Sequence, residues 1–240
     1  MGASFLVNIT KTFWCKMDAT FLSLNKRIVN CTRCPRLVAF RESVPIRSSL
    51  CEGTAWRKPV PGFGDEKAWL LILGLAPSSE GANRTGRMFT GDASARFLIK
   101  ALYQAGLANR PTSEAFEDGL RLHGCYLTAS VKCVPPQHRP SPDEFFQCSD
   151  YFVNELLLLK DVRAVLALGK LAFDTYQRFL TQQGVLKKRE DFTHGALVSQ
   201  PGWPALYGSF HPSPQNTYTG KLTALMLEEL LQRIQQECRS

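Results

Sequence analysis

Between residues 74 and 92 the chain reads GLAPSSEGANRTGRMFTGD, a stretch that combines the residue types a pocket for a flat or anionic ligand requires. Glycines let a backbone come close to a phosphate or a ring, Arg84 and Arg87 bring guanidinium groups, Phe89 an aromatic face and Asp92 a carboxylate. Farther on, His211 opens the polar run HPSPQN and brings an imidazole, the side chain best suited to proton chemistry near neutral pH.

The cysteines offer a second chemistry. Cys31-x2-Cys34 is followed far downstream by Cys133-x14-Cys148, and each pair lies in a proline-containing segment, CTRCPR or KCVPP, that can hold thiolates rigidly. Four thiolates suit either structural zinc or a 4Fe-4S cluster, and ligand softness does not separate the two. Spacing alone leaves the set open: the first pair can be meaningful by itself, and Cys51 competes for a ligand place. Cys125 borders an apolar run and reads as a small core residue, while Cys15 and Cys238 near the ends read as stray thiols.

These residues need a frame. Four short apolar runs, 69–73, 126–131, 164–168 and 205–210, alternate with helical stretches expected at 93–106, 141–160, 170–180 and 217–237, after a first helix over 18–30. Residues 31–65 read as ordered loop. Strands alternating with helices imply an α/β fold, a three-layer α/β/α sandwich with a mainly parallel four-stranded central sheet. In such a sheet the loops 74–92, 132–140 and 211–220 fall on one edge, where α/β sheets bind ligands.

Composition narrows the class. With 240 residues and 44% hydrophobic content the chain can bury one sizeable core, and we expect one domain over 18–240 behind an N-terminal extension, 1–17, in which Met17 suggests an alternative start. The 29 Lys and Arg outnumber the 21 Asp and Glu, giving a formal charge of +8 that favours a polyanionic partner. No apolar run approaches the roughly 20 residues a membrane span needs, so a soluble protein is expected. Eight cysteines in a chain with this much core argue for metal ligation over a disulfide scaffold.

The motifs CTRCPRLVAFRE, RKPVPGFGD, GLAPSSEGANRTGRMFTGD, VKCVPP, ALGKLAF and HPSPQNTYTGKLT occur in this order over about residues 20–235. Together they resemble the uracil-DNA glycosylases of the iron-sulfur branch, most closely those numbered family 5. The resemblance implies a structural 4Fe-4S cluster on Cys31, Cys34, Cys133 and Cys148, with zinc the less favoured alternative. It implies a monomeric, monofunctional glycosylase that flips a damaged base out of single- or double-stranded DNA and leaves an abasic site.

On the same resemblance, Phe89 stacks on the base, and His211 stabilises the departing uracil anion at O2, helped by amides of the 75–79 turn. Leu75 and Ala76 stand where other glycosylase families place an acid or amide, so the carboxylate that orients water or stabilises the sugar cation is expected from Asp92, which also suits an N-cap. Ala129 stands where relatives carry an asparagine that reads the uracil edge; its presence implies a wider base-binding pocket that accepts hypoxanthine or ethenocytosine. DNA contacts are expected from Asn83, Arg84, Arg87, His138, Ser213, Asn216, Thr217 and Lys221, with Pro214 and Gln215 as a wedge. Ser78-Ser79-Glu80 departs from the family, which more often has small residues and then a histidine. Two rival readings are a non-catalytic iron-sulfur nucleic-acid-binding protein and an N-glycosidase of free nucleosides.

Overall fold

A computed structural model describes residues 20–46 and 55–239; the extension over 1–17, Cys15 and Cys51 lie outside the described residues. The sheet is built on four parallel five-residue strands, β2 (Leu70–Gly74), β3 (Cys125–Ala129), β4 (Ala164–Leu168) and β6 (Ala205–Ser209). Every residue of β2, β3 and β4 is buried, as expected of a parallel sheet covered on both faces. Leu70 and Ile72 point to one layer with α4 (Ala93–Gln104) and α8 (Ala224–Arg239). Leu71 and Leu73 point to the other, with α1 (Phe21–Val29), α5 (Pro142–Leu158) and α6 (Lys170–Gln182).

The sheet has six strands where four were expected. Two-residue strands β1 (Phe63–Gly64) and β5 (Leu197–Val198) pair antiparallel with β3 and β6 and close the two edges, giving the order β1-β3-β2-β4-β6-β5. Both are too short to show a periodic pattern. Among the parallel strands the first in sequence, β2, lies between β3 and β4, so the chain reverses its winding direction there, and a crevice opens at the carboxyl ends of β2 and β4.

Three helical expectations are corrected. The stretch read as loop after Cys31 contains α2 (Pro35–Ser43), which starts with a proline at its first position and buries Leu37 and Arg41. Short α3 (Ala82–Thr85) lies inside the 74–92 loop. The last helix, expected over 217–237, is divided: α7 (Pro214–Tyr218) ends before Gly220, whose φ of +71° is a left-handed conformation that stops a helix, and α8 resumes afterwards.

Below the site a buried ion pair ties β3 to α5. Lys132 Nζ lies 2.7 Å from Glu155 Oε2, with 1% and 0% of the side chains exposed. The same oxygen accepts from Thr128 Oγ1 at 2.6 Å, and Oε1 accepts from the Gly62 amide at 3.1 Å. Glu155 therefore anchors the strand, the loop before β1 and the segment leading to Cys133. Lys132→Met is expected to lower unfolding stability by about 3–5 kcal/mol by leaving this carboxylate without its cation. Lys132→Met/Glu155→Gln recovers much of that loss; chemical denaturation of both variants is the check.

Candidate functional site

The loop following β2 is held to its neighbours at both ends. The Gly74 carbonyl accepts from the Ser130 amide and hydroxyl, and the Leu75 carbonyl from the Val131 amide at 2.9 Å, which extends the parallel pairing past the strand. Phe89 then folds back across the strand end with φ of +49°. A Cβ on Gly74 would lie 2.9 Å from Phe89 Cζ, so the glycine is what admits the ring. Phe89 is half-buried against the core, Leu75 and Ala76 are partly exposed beside it, and Ala129 is buried at the end of β3.

Asp92 is the N-cap of α4, its Oδ1 accepting from the Ala95 amide at 2.8 Å. Its Oδ2 accepts a short hydrogen bond from Ser78 Oγ, a partner not foreseen from the sequence. Capping leaves a second lone pair on each oxygen, so the cap and a chemical role are compatible.

His211 follows β6 and sits over Gly169, where an added Cβ would meet the His211 Cβ at 3.3 Å. Its backbone carbonyl accepts from Asn216 Nδ2 at 2.8 Å, so Asn216 shapes this loop from within the protein. Burial lowers the His211 pKa; attraction to Asp92 works against this and proximity to His138 adds to it. The imidazole is accordingly neutral at neutral pH, with one nitrogen to donate and one to accept. These interactions bring Asp92, His138 and His211 together, from three different loops, at the carboxyl edge of the sheet. His138 is exposed, and both it and Gln137 have positive φ.

Three residues expected to contact DNA are occupied inside the protein. Arg87 is 3% exposed and pairs with Asp118 at 2.7 Å, donates to Ser113, Thr90 and the Phe116 carbonyl, and lies over the Phe63 ring. Burial alone would raise the Asp118 pKa, but Arg87 and the backbone amides of Leu120, Glu114 and Ala115 outweigh it and hold it low. Arg84 donates to the carbonyls of Glu80 and Gly91, stapling the loop to itself. Asn83 is buried, with its amide on the Arg41 carbonyl. Sequence shows the charges but not the partners. On α7, Gln215 is exposed, Thr217 donates to the Ser213 carbonyl, and Ser213 makes no side-chain cap bond.

Cys31, Cys34, Cys133 and Cys148 line one cavity, together with Arg41, Lys132 and Tyr151. Among the described residues no three His, Cys, Asp or Glu side chains converge closely enough for a single ion. Three of the sulfurs accept hydrogen bonds: Cys31 from Arg33 Nε at 3.4 Å, Cys133 from Arg41 at 3.3 Å and Cys148 from the Lys132 amide at 3.3 Å. Burial pushes the Cys133 thiol up to about 11 and the Cys148 thiol up to about 12. Burial would raise Cys31 too, but Tyr151 and Arg33 outweigh it and lower it. Arg41 Nε is buried beside them without a partner. Arg41 carries no sequence signal of this role, ten residues after Cys31 on a helix with no marked apolar face. Cys125 is buried in the core and Cys238 packs against it, as expected of residues outside the ligand set.

The family model for the uracil DNA glycosylase superfamily matches residues 61–235. A type-5 uracil-DNA glycosylase of Thermus thermophilus is 48% identical over 202 residues, covering 84% of this chain and 90% of the relative. One of Pyrobaculum aerophilum is 44% identical over 207 residues, covering 86% and 88%. A type-4 uracil-DNA glycosylase of Archaeoglobus fulgidus is 32% identical over 114 residues, about half of each chain.

The reassignment of Arg87 is open to measurement. Arg87→Ala is expected to cost about 3–5 kcal/mol of stability, since Asp118 loses its buried cation. The salt dependence of DNA binding should stay unchanged. A slope smaller by about one, with stability intact, would instead return Arg87 to a phosphate.

Proposed function

The chain belongs to the uracil-DNA glycosylase superfamily and is a DNA glycosylase of its type-5 group, and we propose that Asp92 and His211 divide the chemistry between them. The observation that carries this reading is their placement: Asp92 and His211 follow β2 and β6 at the same carboxyl edge of the sheet, near enough for the Asp92 charge to act on the imidazole. Hydrolysis of the bond between C1′ and N1 leaves positive charge on the sugar and negative charge on the departing base. The two residues suit the two ends. An extrahelical uracil lies against Phe89, and neutral His211 donates an N–H to O2 as charge gathers there, with amides of the 75–79 turn as further donors. Asp92 faces the sugar cation and orients the water that adds to C1′. The bonding pair leaves with N1, the adding water gives its proton to Asp92, and an abasic site remains.

Ala129 provides no amide to read the edge of a pyrimidine, which supports acceptance of hypoxanthine and ethenocytosine beside uracil. Ser213, Gln215, Thr217, Lys221 and His138 are the remaining candidates for contact with the strand around the flipped nucleotide.

Cys31, Cys34, Cys133 and Cys148 suit a 4Fe-4S cluster. They form a thiol-only set lining one cavity, the donor chemistry such a cluster takes. The buried thiols ionise only against added positive charge, and Arg33, Arg41 and the Lys132 amide are already placed to donate to the sulfurs. Such a cluster would be a cross-link between the 31–34 segment, the loop after β3 and α5, with no part in bond cleavage.

Base release from oligonucleotides containing uracil, hypoxanthine or ethenocytosine tests the function. His211→Ala is expected to lower the rate by about 10²–10³, and Asp92→Ala by about 10² or more. Strict uracil specificity would remove the wide-pocket reading, and wild-type rates in both variants would remove the division of labour. The purified protein should be brown and contain iron with acid-labile sulfide; stoichiometric zinc in their place would refute the cluster.

A further inference from the structure

We infer that Ser78 is a positioning residue for base release, fixing the distance between the two oppositely charged ends of the reacting nucleotide. The inference rests on the roles proposed above for Asp92 and the 75–79 turn. Ser78 lies in that turn, whose amides face the departing anion, yet its hydroxyl donates to Asp92 Oδ2, the carboxylate assigned to the sugar. Ser78 Oγ itself accepts from the Gly81 amide at 3.0 Å, which fixes the direction of the hydroxyl proton. With Oδ1 held by the Ala95 amide, neither oxygen of Asp92 can swing without breaking a hydrogen bond.

The packing around this contact is tight. A Cβ on Gly81 would come within 2.2 Å of Asp92 Oδ2 and 2.4 Å of Ser78 Oγ, so a glycine is what allows the two side chains to meet. The Ser78 carbonyl accepts from the Asn83 amide, and the Arg84 guanidinium clamps Glu80 to Gly91 beside it. One hydroxyl thus connects the end of β2 with the start of α4, across fourteen residues of loop. Preorganisation of this kind lowers a barrier because no group has to reorient as charge develops. Asp92 would still cap α4 without Ser78, but its second oxygen would be free to turn.

The test is a set of single-turnover measurements on a uracil-containing single strand, with wild type, Ser78→Ala, Ser78→Thr, Asp92→Ala and Ser78→Ala/Asp92→Ala. Ser78→Ala is expected to lower the maximal rate roughly 10- to 100-fold, with half-saturation and the unfolding midpoint unchanged. Ser78→Thr, which keeps the hydroxyl, should restore most of the rate. In the Asp92→Ala background the Ser78→Ala change should add nothing, since a residue acting only through Asp92 has no second route. A wild-type rate in Ser78→Ala, or an equal loss with and without Asp92, overturns the inference and leaves the glycosylase reading standing. A loss confined to stability or half-saturation does the same. No base release from the wild type would overturn both.

Discussion

Parallel strands cannot be joined by tight turns, and this constraint organises everything else in the molecule. Each return crosses a face of the sheet, usually as a helix, so all four central strands deliver their carboxyl ends to the same edge. The loop carrying Phe89 and Asp92 follows β2, the segment carrying His138 follows β3, Gly169 follows β4 and His211 follows β6. Residues far apart in sequence meet because the chain has one edge on which to leave its connections. The winding reverses between β2 and β4, the position at which open α/β sheets bind ligands.

Within that frame, burial decides what each charge does. Arg87 and Lys132 sit where an isolated cation would be costly, and each is held by a carboxylate that is itself hydrogen-bonded, Asp118 or Glu155. Each cation thereby ties a loop to a carboxylate far from it in sequence. His211 is only partly buried, but desolvation outweighs the attraction of Asp92 and lowers its pKa. One physical term thus turns two basic residues into structural members and a third into a neutral hydrogen-bond donor.

The central strands are legible in the sequence because both faces of the sheet are covered, which turns each strand into an unbroken apolar run with a sharp end. Ala164–Leu168 is delimited to the residue, and the other three differ by one or two positions. Asp92 as an N-cap is legible too, since a carboxylate just before an apolar-periodic run is a helix start signal, whereas the folding of Phe89 back onto the strand end depends on Gly74 and is not. Helix α2 is not, because its buried face mixes Leu37 with Arg41 and shows no apolar stripe. The arginines of the 74–92 loop mislead for a related reason: a guanidinium looks alike in sequence whether it meets a phosphate or a carboxylate, and Asp118 lies 31 residues from Arg87. Ser78 is hidden similarly, because its meaning depends on a glycine and an aspartate that only the fold brings together.

The two edge strands bear on the life of the protein in a crowded solution. An open sheet presents a row of unpaired amides and carbonyls at each side, on which another chain can template. Here β3 and β6 are shielded by β1 and β5, each only two residues long and running against the direction of its neighbour. An intruding strand would find a ladder of two rungs at either side, too short to give it a register. Such trimming limits the edge on which a second copy could add a strand.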